Sequence, residues 1–199
     1  MDLTMCRSWK VFAAFITAAV IPHLATAENT RKFSAAHLVE AERLVYALGI
    51  VENLSIPTRK FLRQIRETDP ARADLMASVM EPFIDKKYIG LEFRGFMASQ
   101  FDVETCRQLS EHWEGPVGRR FVNTQVQLLT TGKAPELKFT PTEEAIGKRF
   151  EQTAAFRAFA RAQPALQQRL AAFAKDTKEK MAQKMKEELV RRNDSAPKN

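Results

Sequence analysis

The chain has 199 residues, of which 45% are hydrophobic, and this length allows one domain with a sizeable buried core. Its formal net charge of +7 would suit a nucleic-acid-binding protein, but the basic residues are spread among acidic ones, which argues against that class. The aromatic residues are mostly phenylalanines at helical core spacing, so packing explains them better than base stacking does.

Residues 1–27 contain the three parts of a secretory signal peptide. Arg7 and Lys10 precede a short apolar run, residues 11–21, and a small-x-small cleavage site ends at Ala27. The apolar run is about half as long as the roughly 20 residues that a membrane-spanning helix needs, so an uncleaved anchor is the less favoured alternative. We therefore predict export to the periplasm with cleavage after Ala27. Losing two basic residues and one acidic residue would lower the net charge from +7 to +6.

Cleavage would leave Cys106 as the one cysteine of the mature protein, because Cys6 lies in the signal peptide. No intramolecular disulfide can then form, whatever the redox conditions. Cys106 shares an apolar helical face with Leu109 and Trp113, which favours a small buried hydrophobe over a reactive thiol.

The mature chain begins with two predicted helices. The first runs from its cap at Ser34 to about Asn53, weakened near its end by Gly49, and the second starts near Pro57. The outer side of the second helix carries a basic cluster that could contact a membrane surface or an acidic partner, although a solvated helix face is the favoured interpretation. The cluster consists of Arg59, Lys60, Arg63 and Arg66.

Two further helices are predicted before residue 101. Asp69 and the proline after it form a cap-then-proline start, and Pro82 should kink or end that helix because proline lacks the amide donor. Residues 86–100 are dense in apolar side chains. A strand around residues 88–93 is the alternative, but helical spacing on both sides and the absence of a strand partner in the sequence favour a helix.

The centre of the chain carries the clearest architectural signals. Asp102 is a predicted helix cap, with Phe101 and Cys106 as the two ends of a hydrophobic staple. Gly115 suits the left-handed position after a helix end, and Pro116 suits the first position of the next helix.

Residues 113–119 read Trp-Glu-Gly-Pro-Val-Gly-Arg. This motif resembles the hallmark of domain-of-unknown-function family number 2059, a family of small exported helical proteins of bacteria. The family motif is aromatic-aromatic-x-Ser-Pro-x-Gly-x-Lys; here His112 and Trp113 replace the aromatic pair, and Gly115 stands where serine is more common. The resemblance covers roughly residues 80–135, and it implies a periplasmic all-helical module without a known activity.

A linker is predicted to divide the all-helical domain, residues 28–192, into two halves. After it, Thr140 and Glu143 form a capping box around a proline at the first helical position. The second half weakly echoes the first, so a degenerate repeat of a helical hairpin is an open alternative. The predicted divisions are a motif-bearing half to about residue 131, a linker at 132–138 and a second half at 139–192.

A long final helix is predicted to start at Gln163-Pro164 and to carry a narrow apolar seam. Such a seam packs against its own domain or against a second copy. The last residues, 193–199, are predicted to be disordered. The seam consists of Leu166, Leu170, Phe173, Thr177, Met181, Met185 and Leu189.

Few residue patterns in the chain point to chemistry. Neither His37 nor His112 stands at a metal-ligand spacing from another candidate ligand, so we predict no metal and no cofactor. Glu111 and Glu114 flank His112 three residues apart on a helix, and we expect both to be solvated. The sequence contains no Gly-x-Ser-x-Gly nucleophile motif, and no glycine-rich phosphate loop follows a predicted strand.

The helix start after Gly115 is the one candidate site. Its free amides, with Arg119 and Arg120, could hold an anion. The favoured alternative is that Gly118 lets a second helix approach closely while the arginines face water. The candidate binding residues are His112, Trp113, Gly115, Pro116, Gly118 and Arg119.

These observations predict an all-α fold, a single compact bundle of seven to nine short helices that ends in a long helix. The favoured functional hypothesis is a non-enzymatic periplasmic binding or scaffold protein. It would act through a groove between helical hairpins or through the final helix, with an unknown protein partner or by self-association. The alternative hypothesis is an envelope enzyme or anion-sensing module that uses Glu111, His112, Glu114 and Arg119.

Overall fold

The computed structural model describes residues 33–133 and 135–194, and within them every regular element is helical. This confirms the predicted all-α bundle with a long C-terminal helix. The predicted signal peptide and its cleavage site lie outside the described residues. The helices are α1 (Ala35–Ala47), α2 (Ile50–Thr68), α3 (Pro70–Met80), a 3₁₀ turn (Glu81–Phe83), α4 (Lys86–Gln100), α5 (Val103–Glu114), α6 (Pro116–Thr131), α7 (Pro141–Glu151) and α8 (Ala154–Asp194).

Four of the predicted helix starts are confirmed by side-chain caps. Ser34 accepts a hydrogen bond from the third backbone amide after it, and Asp69 and Asp102 do the same in front of α3 and α5. Thr140 accepts from the amide of Glu143, whose carboxylate accepts in return from the Thr140 amide, completing the predicted capping box. Each cap satisfies an amide that the helix itself leaves unpaired, a stabilisation of about 1 kcal/mol.

The predicted boundary between the first two helices is wrong. The chain breaks at Gly49, whose φ of 67° is left-handed, and not near Asn53. Glycine is the residue that adopts this conformation without strain. The β-carbon of any other residue would also meet the side chain of Val122, 2.7 Å from Cγ1. Pro57, predicted to open the second helix, lies inside α2 on its exposed side.

The start predicted for the final helix is also wrong. α8 begins ten residues before Pro164, after Thr153 accepts a hydrogen bond from the amide of Phe156. Pro164 lies inside the helix with its ring exposed to solvent. At the other end the helix continues through Asp194, two residues into the tail that was predicted to be disordered. Residues 195–199 of that tail lie outside the described part of the chain.

The hydrophobic core is organised around α1, which packs against α4 and α5. α8 covers the open side of this layer with two phenylalanines. Phe159 meets Trp113 of α5 at a ring-centroid distance of 5.8 Å, and Phe173 meets Phe93 of α4 at 5.2 Å. α2 pairs with α3 and α6 beside this layer, and the later part of α8 contacts α3.

The seam of α8 packs within its own chain over its first half. Leu166, Phe173 and Thr177 are buried, whereas Met181 and Met185 are half-buried and Leu189 is 46% exposed. The burial decreases because α8 is longer than the layer it covers. The methionines therefore line a partly open surface.

Candidate functional site

The predicted site residues meet at the corner between α5 and α6. Gly115 ends α5 and begins α6 in an extended conformation, with φ −71° and ψ 173°, so the predicted left-handed conformation is wrong. Its amide donates to the carbonyl oxygen of His112 at 3.1 Å, and an added β-carbon would lie only 3.1 Å from that oxygen. The lack of space for a β-carbon therefore favours glycine at this position. Pro116 occupies the first position of α6, as predicted.

Gly118 brings the first turn of α6 into backbone contact with the last turn of α5. A β-carbon at this position would overlap the Cα of Trp113 and would lie 2.5 Å from its carbonyl oxygen. It would also lie 2.7 Å from the carbonyl oxygen of His112. These obstacles are backbone atoms, which cannot rotate away as a side chain can. The interpretation of Gly118 as a close-packing residue is confirmed.

The imidazole of His112 packs between aromatic rings. It stacks on Phe150 of α7, with ring centroids 3.5 Å apart and an interplanar angle of 7°, and its edge meets Trp113. Burial lowers the pKa of His112 to about 4, so the ring is neutral at pH 7. A neutral ring held between α5 and α7 serves packing, whereas a general base works best with a pKa near the operating pH.

The carboxylate of Glu114 is bound by Arg43 of α1. The guanidinium Nε and Nη2 donate to its two oxygens at 2.9 and 2.6 Å, a bidentate arrangement. The hydrogen bond from Arg43 lowers the pKa of Glu114. Glu114 is therefore ion-paired as well as partly solvated, because a residue 71 positions earlier in the chain reaches it. Glu111 is exposed, as expected.

The two arginines of the candidate anion site have different surroundings. Arg119 is exposed, whereas Arg120 is held by the carboxylate of Glu143 and the carbonyl oxygen of Lys138, each at 2.8 Å. An open depression of about 500 Å³ lies beside both arginines, between α6 and residues 135–138. The two arginines thus lie on one surface, but Arg120 is paired with Glu143, a residue of the capping box of α7.

Three further observations bear on the chemistry of the described residues. Within the described part of the chain, no group of three His, Cys, Asp or Glu side chains could hold a metal ion. Cys106 is fully buried, and burial raises the pKa of its thiol to about 12, which confirms a buried hydrophobe. None of the helices in the described ranges is long and apolar enough to cross a bilayer.

A second candidate site lies between α2, α3 and α8, where the later part of the predicted seam of the final helix faces α3. We call it the groove: a cleft of about 430 Å³ whose floor and walls are mostly apolar. Among the described residues that line it are two threonines, a single charged residue, Lys178, and no carboxylate. Its apolar lining residues include Met76 and Met80 of α3, Phe83 of the 3₁₀ turn, and Phe173, Met181 and Met185 of α8.

The groove forms because α8 meets α3 along only part of its seam. Pro82 ends α3 and turns the chain into the 3₁₀ turn, which places Phe83 at the end of the cleft. The ammonium of Lys184 lies 5.0 Å from the centroid of the Phe83 ring, a cation–π contact. The methionine pairs four residues apart on α3 and α8 are the one sequence signal of this surface, and their spacing alone indicates only a packed face.

Comparisons with protein-family models, with curated proteins and with solved structures gave no match for this chain.

Proposed function

We propose that this protein is a non-enzymatic, periplasmic binding module that holds an apolar ligand in the groove. The observation that carries the proposal is a cleft of about 430 Å³ whose lining, within the described ranges, includes four methionines and no carboxylate. Binding sites for small molecules have volumes of about 300–1,000 Å³ and mostly apolar walls. Methionine suits such a wall because its unbranched side chain adapts to the shape of the ligand.

The arrangement of the corner supports a binding module over an enzyme. His112 is covered by Phe150, Glu114 is bound by Arg43, and Arg120 is bound by Glu143. Two of the four groups assigned to the enzyme or anion sensor, His112 and Glu114, are thus engaged in packing or an ion pair, and Arg120 of the anion site is engaged as well. The envelope-enzyme hypothesis centred on His112 and Arg119 therefore has less support.

The binding proposal can be tested with the mature protein, residues 28–199, and the neutral fluorescent probe N-phenyl-1-naphthylamine. Ala182→Trp would fill the groove, because Ala182 lines it. Ala171→Trp is the matched control, since Ala171 is an exposed alanine of the same helix that does not line the groove. We expect the wild type and Ala171→Trp to bind the probe and Ala182→Trp to lose at least tenfold in affinity. Absence of binding to the wild type, or equal binding by the two variants, would refute the proposal.

Export is the second part of the proposal, and it is supported by the signal-peptide pattern of residues 1–27. Membership of family 2059 remains a proposal supported by the motif at Trp113 to Gly118. Expression of the full chain in a Gram-negative host, followed by fractionation and mass measurement, tests export. We expect a periplasmic product that begins at Glu28. A full-length cytosolic product would contradict this part of the proposal.

Self-association through the end of α8 is a further candidate function, favoured by its exposed apolar residues. Leu189 and Val190 are 46% and 60% exposed. If this surface forms a dimer, Leu189→Lys should lower the sedimentation coefficient of a concentrated sample, whereas Lys186→Gln should not. A monomeric wild type at all concentrations would exclude it.

A further inference from the structure

We infer that the ligand of the groove is a fatty acid, with its hydrocarbon chain along the methionines and its carboxylate beside Lys178 and Lys184. This inference rests on the proposed function and names the ligand class. The charge, the length and the volume of the groove each support it.

The charge of the groove favours an anionic ligand. Lys178 is the one charged residue among the described residues that line it, and Lys184 holds its ammonium against Phe83, another lining residue. No aspartate or glutamate of the described ranges lines the groove. A cationic head group would be repelled by the lysines, whereas a carboxylate would form charge-assisted hydrogen bonds with them.

The apolar part of the groove is elongated. On α8 its lining residues extend from Phe173 to Met185, a length of roughly 18 Å at about 1.5 Å per residue. The apolar wall offers few directional hydrogen-bond partners along this length, since its polar side chains are two threonine hydroxyls and the lysine. An elongated and mostly apolar cleft of this kind fits a hydrocarbon chain.

The volume of the groove, about 430 Å³, lies within the range of about 300–1,000 Å³ that sites for small molecules have. Both nearby cations are lysines, which bind a carboxylate or a phosphate as point charges, so the carboxylate is assigned as the simpler anion and dodecyl phosphate is included in the test to distinguish the two.

The test measures displacement of N-phenyl-1-naphthylamine from the mature protein by three ligands with the same chain: dodecanoate and dodecyltrimethylammonium below their critical micelle concentrations, and dodecanol below its solubility limit. We expect dodecanoate to displace the probe at about a tenfold lower concentration than dodecanol, and the cationic ligand to be the weakest. Dodecyl phosphate is added as a fourth ligand. If it binds more than tenfold tighter than dodecanoate, the carboxylate assignment is overturned.

Charge variants locate the head group. In Lys178→Gln/Lys184→Gln we expect the preference for dodecanoate over dodecanol to fall to less than twofold, with Lys184→Gln alone intermediate. The matched control is Lys180→Gln/Lys186→Gln, which removes two exposed lysines of the same helix outside the groove and should retain the preference. The preference is the ratio of the dodecanol and dodecanoate affinities of the same variant. A substitution that weakens binding of the hydrocarbon chain lowers both affinities equally and leaves this ratio unchanged.

The outcomes separate this inference from the proposed function. If the wild type does not bind the neutral probe, the groove is not a binding site and both proposals fail. If the probe binds but dodecanoate and dodecanol displace it equally, or if the preference survives in Lys178→Gln/Lys184→Gln, the groove binds apolar ligands and the fatty-acid inference is refuted.

Discussion

Arg43 and Glu114 join the first and fifth helices by two hydrogen bonds, 2.9 and 2.6 Å long, between a guanidinium and a carboxylate. The pair fixes the end of α5 against α1 at the point where the chain turns into α6. Both side chains are more than one-third exposed, at 38% and 37%. Solvent therefore weakens the interaction relative to a buried pair.

We expect a double-mutant cycle of Arg43→Gln and Glu114→Gln to give a coupling energy of about 0.5–1 kcal/mol at pH 7. The pKa of Glu114 is lowered in the folded protein, so the coupling should be lost as the pH falls through that lowered pKa. Urea unfolding of the four proteins measures it. Arg66 and Asp74, an ion pair with 57% and 72% exposure, provide the control, with a coupling near zero. A coupling energy near zero for Arg43 and Glu114 as well would contradict the prediction.

Gly118→Ala tests the backbone contact between α5 and α6. The added methyl group would overlap the backbone of Trp113, so the two helix ends must move apart. We expect a loss of about 2–4 kcal/mol in the free energy of unfolding. Gly147→Ala is the matched control, because no atom lies within 4 Å of the position that its added β-carbon would take, and it should gain up to about 1 kcal/mol from helix propensity. Chemical denaturation measures both changes, and equal stabilities would contradict the close contact.

His112 makes stability depend on pH below neutrality. Its pKa is about 4 in the folded protein and 6.5 in the unfolded chain, so the unfolded state binds more protons between these values. The stabilisation by the neutral ring is complete above pH 6.5 and is lost progressively towards pH 4. The loss amounts to at most about 3 kcal/mol, at about 1.36 kcal/mol per pKa unit.

The variant His112→Phe isolates this effect, because it retains an aromatic ring against Phe150 and does not titrate. Urea unfolding of the wild type and His112→Phe at pH 7, 5.5 and 4.5 measures the difference in free energy. We expect the wild type to lose stability relative to His112→Phe as the pH falls. A constant difference would show that His112 does not gain a proton on unfolding in this range.

Cys106 should be inert in the folded protein. It is fully buried, so a reagent cannot reach the sulfur atom. Burial also raises the pKa of the thiol to about 12, so the reactive thiolate does not form at pH 8. We expect the mature protein to react with a thiol reagent such as 5,5′-dithiobis(2-nitrobenzoic acid) only when the protein unfolds, with one thiol released in urea. Stoichiometric labelling within minutes under native conditions would contradict the burial of Cys106.

The candidate site was predicted only in part. Pro116 at the first helical position and Gly118 as a close-packing residue could be inferred, because both depend on residues within one turn of the corner. The partner of Glu114 could not, because Arg43 lies far away in the chain and reaches it only when α1 packs on α5. Likewise, no local pattern indicated that His112 stacks on Phe150.

The sequence alone determined the all-α class and where most helices begin, because a cap, a first-turn proline and a 3.6-residue period act over four or five residues. Tertiary structure decided which proline positions remain helical, as at Pro57 and Pro164, since packing over a whole helix outweighs one missing hydrogen bond. It also decided that α8 extends past its neighbours and leaves Met181 and Met185 beside α3. A seam shows which face of a helix is apolar; how much of it is covered depends on the lengths and crossing of the other helices.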